Sequence, residues 1–138
     1  MTDSSEMLSQ IQDISKRAGF NNWLDLDIVA ASLGEVELRL RWRPEFGQYS
    51  GFLHAGIVAG LIDTACGFAA VTMVGRVLAS QFSVRCLRPA VAEIFVVRGR
   101  VVKPGKQQVF TSAELFGLDG DPAKPFAVGD ALLVPGGA

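Results

Sequence analysis

The stretch HAGIVAGLIDTACGFAAVTMVG, residues 54–75, decides the fold of this chain. Wound as a helix it is apolar nearly all round and rich in Ala and Gly. With His54 taken as neutral, its only charged residue is Asp63. A helix without a polar face needs cover on all its sides. The rest of the chain must therefore supply a surface that wraps around it.

The segments on both sides of this helix are typical of β-strands. In residues 35–42, apolar Val, Leu and Trp side chains alternate with Glu and Arg, a period of two that gives one buried and one wet face. The apolar residues of 24–28 suggest a strand before it, with a turn at Gly34. Four strands are predicted after the helix, at 77–88, 93–102, 107–117 and 126–134.

The order of these elements predicts the fold class. Residues 4–18 indicate an amphipathic helix that ends at Gly19, within an N-terminal lead-in of residues 1–22, and residues 135–138 are expected to be a loose tail. Short turns between strands favour antiparallel pairing. A curved antiparallel sheet wrapped around one central helix meets the demand for cover. This α+β architecture is the hot-dog fold, and we expect residues 1–138 to form a single such domain.

A membrane span is the alternative interpretation of residues 56–75. The length fits, and Gly56 and Gly60 have the GxxxG spacing of helix pairs in membranes. However, Asp63 would then lie inside the bilayer at considerable cost, and alternating strands flank the segment. We therefore expect no membrane partner.

Composition excludes several other function classes. The formal net charge is −1 with no basic stripe, which gives no reason to expect a nucleic-acid partner. The two cysteines, Cys66 and Cys86, lack zinc spacing, and one histidine leaves few metal ligands, so no metal is expected. Two free buried thiols are expected, and a disulfide is the alternative. The polar, acidic start of residues 1–6 does not resemble a secretory signal, which predicts a cytoplasmic protein.

Asp63 and the start of the helix are the residues that could carry chemistry. An unpaired carboxylate on an apolar helix is costly to bury and is kept for a partner or for a function. At His54, Ala55 and Gly56 the first helical amides have no internal acceptor, so they can bind an anion or a developing oxyanion. Equally, Asp63 can pair with an arginine and His54 can pack on its loop, and the residues alone leave these interpretations open.

Residues 51–65 resemble the signature of PaaI-type (phenylacetate-pathway) hot-dog thioesterases. In that family His-Gly-Gly opens the helix and Asp-Thr-Ala follows an Ala- and Leu-rich turn. Residues 86–90, Cys-Leu-Arg-Pro-Ala, are similar to the family's Phe-Leu-Arg-Pro-Ala strand end. The likeness spans roughly residues 35–134. One departure is Ala55, which stands where the family has its first Gly and forbids any backbone conformation that only Gly tolerates.

The resemblance implies an acyl-CoA thioesterase that hydrolyses an acyl- or aryl-CoA thioester. In that role Asp63 attacks the thioester or activates the attacking water, and the amides of Ala55 and Gly56 polarise the carbonyl. Gln48 would orient water or substrate, and His54 would support the loop and contact the thioester. No cofactor is implied, since coenzyme A is part of the substrate.

Further residues are candidates for binding the substrate. Ser80, on the following strand, matches an assisting Ser or Thr of the family, although the register can place Ala79 there instead. The acyl pocket is expected to be lined partly by the aromatic loop of Phe46, Tyr49 and Phe52, which can equally be interface packing. Candidate contacts for the phosphates of coenzyme A, or alternatively a solvated charged face, are Arg88, Arg100, Lys103 and Lys106.

The resemblance also implies a homodimer, often paired again into a homotetramer, in which Asp63 of one chain faces the His54 loop of the other. Two other functions remain open. A hot-dog enoyl-CoA hydratase or dehydratase would use His54 and Asp63 as a proton-transferring pair. A non-catalytic acyl-CoA-binding protein, or a partner of an acyl carrier protein, would bind the ester without turnover.

Overall fold

The computed structural model describes residues 3–136, so the first two residues of the polar start and the last two of the predicted tail lie outside the described part. The helices are α1 (Ser4–Ser15), α2 (Gly19–Leu24) and α3 (Ala55–Val74), with a 3-10 turn at Pro44–Phe46. The strands are β1 (Asp27–Ser32), β2 (Glu35–Arg41), β3 (Val77–Cys86), β4 (Ile94–Lys103), β5 (Val109–Gly117) and β6 (Ala127–Pro135).

The six strands form one antiparallel sheet in the order β1-β2-β4-β5-β6-β3. Its width is about 24 Å at roughly 4.8 Å per strand spacing, yet α3 touches every strand. Only a strongly curved sheet can do this, which is the predicted hot-dog arrangement. Helix α3 is long and apolar enough to cross a membrane by length and composition, but here the sheet curves around it.

Alternation along the strands places the core between the sheet and α3. Leu38 of β2 pairs with Val97 of β4, which pairs with Leu115 of β5, and all three side chains are fully buried. The helix lies very close to β4, because a Cβ added at Gly99 would stand 2.5 Å from the carbonyl oxygen of Ala65. The predicted strands after α3 agree with the observed ones to within two residues at each end.

The N-terminal region differs from the prediction. Residues 19–24 form helix α2 instead of leading into a strand, and β1 begins only at Asp27. Helix α2 has no side-chain N-cap, so it lacks the local sequence signal from which a helix start is usually predicted. Packing holds it in place, because Leu24 is buried and the Phe20 ring lies against Gly60 of α3.

The described part of the predicted loose tail is ordered by pairing. Pro135 is the last residue of β6 and pairs with Val77 of β3. Beyond it, the amide of Gly136 donates a hydrogen bond to the carbonyl oxygen of Arg76, with an N···O distance of 2.7 Å. The sheet therefore extends to Pro135, and Gly136 is hydrogen-bonded to the residue before β3.

One edge of the sheet is covered by a helix and the other is exposed. Helix α1 lies along β1, where the Gln12 side chain donates to the carbonyl oxygen of Ile28. Strand β3 forms the other edge and, among the described residues, pairs only with β6. Most of its residues are exposed, including the large apolar Leu78 and Phe82. An uncovered edge of this length is a template for pairing with another strand.

Candidate functional site

Asp63 is a half-buried carboxylate in the middle of α3. Burial disfavours the charged form and is the cause that raises the pKa of this carboxyl above its usual value. Within residues 3–136 no lysine or arginine forms an ion pair with it. The alternative in which an arginine from a strand neutralises Asp63 is thus not what the described chain shows.

The His54 ring caps the start of α3. Its Nδ1 accepts a hydrogen bond from the amide of Gly56 at 2.8 Å. A neutral imidazole that accepts at Nδ1 carries its proton on Nε2, so Nε2–H remains a donor. The His54 backbone amide donates to the carbonyl oxygen of Phe46 at 2.9 Å, which ties the cap to the preceding loop.

This cap decides which amide at the helix start is free. The Gly56 amide already donates to His54, and the Ile57 amide donates to the His54 carbonyl oxygen. The amide of Ala55 has no acceptor among the described residues. It lies at the positive end of the helix dipole, so Ala55 and not Gly56 offers the donor for an oxyanion. Ala55 is helical and does not have a positive φ, so the alanine causes no backbone strain there.

Gln48 lies in a tight turn ahead of the cap. The Gly51 amide donates to the Gln48 carbonyl oxygen at 3.0 Å, and Gly51 has a φ of +83° that favours glycine. The side-chain Oε1 of Gln48 accepts from the amide of Ser50. With its oxygen engaged, the carboxamide NH2 of Gln48 is the group left to meet a ligand.

A first cavity, the loop cavity, lies below this turn and has a volume of about 350 Å³. It brings the helix start together with the end of β3 and the loop that follows. Its lining includes Gln48, Ala55, Val58, Cys86, Arg88 and Phe126.

A second cavity, the carboxylate groove, contains Asp63 and has a volume of about 670 Å³. It follows α3 from Asp63 to the C-cap residue Gly75 and is bordered by the α1–α2 connection and the start of β3. Its lining includes Arg17, Asn21, Asp63, Phe68, Arg76 and Ala79.

The two cavities are separate in one chain. Asp63 lies nine residues after His54 in the sequence, about 13.5 Å along the helix at 1.5 Å per residue. The Asp63 carboxylate therefore cannot reach a carbonyl that is bound at the Ala55 amide of the same chain.

Comparison with known proteins identifies the family of this chain. A model of the thioesterase superfamily matches residues 50–124, a span of 75 of the 138 residues. The chain belongs to the thioesterase superfamily. The match begins in the turn before the His54 cap and includes Asp63, so it covers the motif from which the family was predicted.

Two proteins similar in sequence to this superfamily member have names that describe them provisionally as esterases. One, from Halobacterium salinarum, is 31% identical over 125 residues, covering 81% of this chain and 83% of the relative. The other, from Saccharolobus solfataricus, is 25% identical over 116 residues, covering 82% of this chain and 83% of the relative.

Solved structures of the superfamily superpose closely on this member. A thioesterase family protein from Silicibacter pomeroyi gives a TM-score of 0.86 at 33% identity, covering 93% of this chain and 96% of that one. The E. coli PaaI protein from the phenylacetic acid degradation operon gives 0.85 at 20% identity, covering 97% and 96%. The second likeness shows a shared fold, and together they confirm the hot-dog architecture and the predicted family.

The structure rearranges the predicted substrate contacts of this thioesterase-superfamily protein. Ala79 lines the carboxylate groove, whereas Ser80 lies at the β-bulge of β3 and outside the groove lining. Phe46 is fully buried beneath the loop, edge-on to Trp23 and under the Arg43 guanidinium, so it cannot touch a substrate. Tyr49 is wholly exposed at the tip of the turn.

The four cations predicted for coenzyme A do not lie together. Arg88 lines the loop cavity. Arg100 lies on the outer face of the sheet between Glu35 and Ser112, in a depression remote from α3. Lys106 borders a shallow hollow beside Val74, and Lys103 ends β4. Only Arg88 therefore stays a candidate for the same substrate as the helix start.

Three lining residues were missed by sequence reasoning. Arg17 was overlooked because it was placed inside the predicted helix of residues 4–18, and Asn21 because α2 was not predicted. Arg76 was overlooked because it is a single charge just before a strand. Asn21 is buried, and its side chain donates a hydrogen bond to Ser15 Oγ at 3.1 Å. Its burial and this contact are set by the fold, so the sequence carried no signal for Asn21.

Both cysteines are free thiols, but only Cys66 is buried, whereas both were predicted to be. Burial raises the pKa of the Cys66 thiol to about 11, which leaves it protonated and without a nucleophilic role at neutral pH. Cys86 is exposed and lines the loop cavity. Within the described ranges no cluster of three or more His, Cys, Asp or Glu side chains is arranged to hold a metal ion.

Proposed function

We propose that this protein hydrolyses acyl-CoA or aryl-CoA thioesters to the free acid and coenzyme A. The supporting observation is Asp63, a half-buried carboxylate without an ion-pair partner in the described chain, facing a groove long enough for an acyl group. A carboxylate kept in such a place despite its desolvation cost is a candidate catalytic group.

The chemistry needs only the groups already described. Asp63 takes a proton from a water whose oxygen bonds to the thioester carbonyl carbon, or its own oxygen makes that bond. The carbonyl oxygen becomes an oxyanion that accepts a hydrogen bond from an Ala55 amide. The C–S bond then breaks, and the thiolate of coenzyme A takes up a proton. If water attacked, the free acid forms in this step. If Asp63 attacked, a water then hydrolyses the acyl–Asp63 anhydride, which releases the free acid and restores the carboxylate. Gln48, with its amide NH2 free, orients the water or the ester.

The proposed site requires two chains, because Asp63 and Ala55 of one chain are too far apart to act on one carbonyl. The exposed edge of β3 supplies the means of assembly. Antiparallel pairing of two β3 edges around a two-fold axis would lay the α3 helices side by side in opposite directions. Asp63 would then approach the Ala55 amide of the partner subunit, and the carboxylate groove would open into the partner's loop cavity.

A homodimer is therefore part of the proposal, and pairing of dimers into a tetramer is compatible with it. Each interface would bury the apolar side chains Leu78 and Phe82, which are exposed in the single chain. The site would hold no cofactor, since coenzyme A enters as part of the substrate.

The decisive experiment measures release of coenzyme A from a panel of short, medium, long and aryl acyl-CoA esters. Asp63→Asn should lower kcat/KM by roughly 10²–10⁴ if the carboxylate acts as base or nucleophile. Asp119→Asn, which changes an exposed aspartate in the loop after β5, is the matched control and should behave as the wild type.

The outcomes separate the competing functions. Free acid and coenzyme A as products support hydrolysis. An intact CoA ester that has gained or lost water indicates the hydratase alternative. A folded dimer that binds acyl-CoA without turnover, equally with and without the Asp63 carboxylate, would contradict the proposal and leave a binding protein.

A further inference from the structure

The carboxylate groove has an apolar floor and carries two arginines on its border. Along α3 its walls are Gly67, Phe68 and Val71, and the facing side adds apolar residues. These are Ile14, Val77, Leu78 and Leu133. Arg17 reaches the groove from the connection between α1 and α2, and Arg76 reaches it from the connection between α3 and β3.

Neither arginine is neutralised by the chain. Among residues 3–136 neither one forms an ion pair, although both border the groove that holds Asp63. They do not serve Asp63 either, because its pKa is raised by burial and no neighbouring positive charge lowers it. Both side chains are exposed at the border of the groove, so their N–H groups can bind an anion that enters it.

The position of Arg76 gives the approximate distance between Asp63 and the far end of the groove. Val74, the last residue of α3, lies eleven residues after Asp63, which is about 16.5 Å along the helix at 1.5 Å per residue. Arg76 follows two residues later, at the end of the groove away from the carboxylate. A ligand with one end at Asp63 would place its other end near this arginine.

We propose that Arg17 and Arg76 form an anion-binding site for the substrate, so the preferred thioester carries a negative group about one groove length from its carbonyl carbon. The proposal rests on the function proposed above. Guanidinium groups bind carboxylates and phosphates equally well through paired N–H···O bonds. The anion can therefore be a carboxylate at the end of an acyl chain lying in the groove, or a phosphate of coenzyme A if its pantetheine arm lies there.

Four substrates distinguish these sources. They are decanoyl-CoA, the CoA monothioester of decanedioic acid, and the N-acetylcysteamine thioesters of the same two acyl groups, which lack phosphates. The wild type is compared with Arg17→Gln, Arg76→Gln and the double variant. Arg41→Gln is the control, because Arg41 is an exposed arginine at the end of β2, outside both cavities.

The expected loss in kcat/KM is roughly ten- to a hundredfold, the typical worth of a charged hydrogen bond. A loss confined to the two dicarboxylic substrates supports a carboxylate at the end of the acyl chain. A loss confined to the two CoA esters supports a phosphate. Equal rates for all variants on all four substrates, or one uniform loss on all four, would overturn the proposal.

A binding measurement keeps the test independent of turnover. Calorimetric titration with decanedioate and with free coenzyme A should show at least one of them bound by the wild type and by Arg41→Gln. The double variant should bind it about tenfold more weakly or worse, with an unchanged melting temperature. If the wild type cleaves no thioester, the proposed hydrolysis fails while this titration still decides on the anion site. Absence of binding of both anions to the wild type would rule the site out.

Discussion

The charge state of Asp63 links its environment to the proposed catalysis. The carboxyl lies between an apolar helix and an apolar groove, and burial shifts its pKa upward from the usual 3.8. A general base must be deprotonated before it can accept a proton, so a raised pKa moves the lower pH limit of activity upward. The same raised pKa makes the carboxylate a stronger base.

The pH dependence of kcat/KM should report this shift. We expect activity to be lost as the pH falls through the raised pKa of Asp63, so the acid limb should inflect above 3.8. Rates measured across the pH range, at one saturating and one limiting substrate concentration, locate this inflection. An acid limb at or below 3.8 would contradict a catalytic role for a buried Asp63, provided that the protein remains folded at that pH.

The same shift predicts an effect on stability. Between 3.8 and the raised pKa the native chain binds more protons than the unfolded one, so the free energy of unfolding decreases as the pH rises through this interval. Asp63→Asn has no carboxyl to ionise, so it does not lose this part of the free energy of unfolding as the pH rises. It should stabilise the protein at pH 7 by about 1 kcal/mol, the common gain when an unfavourable active-site residue is replaced.

Denaturant unfolding of both proteins at pH 7 and at pH 3 tests this sign. At pH 3 the carboxyl is protonated in both states and the difference should vanish. Asp119→Asn controls for the loss of one negative charge. A variant that is less stable than the wild type at pH 7 would show that Asp63 has a stabilising partner in the assembled protein.

The close approach of α3 to the sheet depends on small residues at particular strand positions. At Gly99 an added Cβ would meet backbone atoms of Ala65 at 2.5 and 2.7 Å, and backbone cannot move without shifting the helix. At Gly60 the added Cβ would meet only ring atoms of Phe20 at 2.8 Å. Phe20 is partly exposed, so its ring can turn away.

Two alanine substitutions should therefore differ. Gly99→Ala should destabilise the protein by about 1–3 kcal/mol, the range for overpacking a core. Gly60→Ala should change stability by less than about 0.5 kcal/mol, helped by the better helix propensity of alanine. Thermal or denaturant unfolding measures both. Equal effects at the two sites would show that α3 can move away from β4 more freely than the packing indicates.

Assembly is the property of the whole molecule on which the proposed site depends. Phe82 of β3 and Phe110 of β5 are equally exposed at 45% each, but only Phe82 belongs to the uncovered edge strand. A charge placed on that strand would be buried in the proposed interface without a partner, which is strongly unfavourable.

Phe82→Glu should give a monomer and lower thioesterase activity at least a hundredfold, because each site would lose one of its two halves. Phe110→Glu should remain a dimer with wild-type activity. Light scattering coupled to size-exclusion chromatography measures the mass, and release of coenzyme A measures the activity. A monomeric Phe82→Glu protein with full activity would show that one chain suffices for catalysis.

Much of the fold could be predicted from the order of residues along the chain. Residues 54–75 are apolar all round, so a covering sheet was needed, and the alternation in 35–42 indicated how its strands present their faces. These patterns are local: each depends on neighbours within a few positions, which is why the ends of the four strands after α3 were predicted to within two residues. The motif around Asp63 likewise predicted the superfamily to which the chain belongs.

Helix α2 and the geometry of the candidate site could not be predicted in this way. Whether the amide of Gly56 or of Ala55 is free depends on where the His54 ring turns. Whether Ala79 or Ser80 lines the groove that contains Asp63 depends on a bulge in β3. Both are decided by hydrogen bonding and register after the chain has folded.

Residue types and their spacing thus determined the central helix, the sheet around it, the superfamily and Asp63 as its conspicuous carboxylate. Tertiary structure decided that Asp63 and Ala55 lie in different cavities, and that Arg17 and Arg76 border the cavity of Asp63. The physical reason is that periodicity records which side of an element is buried. Only the packing of distant segments sets which side chains share a cavity.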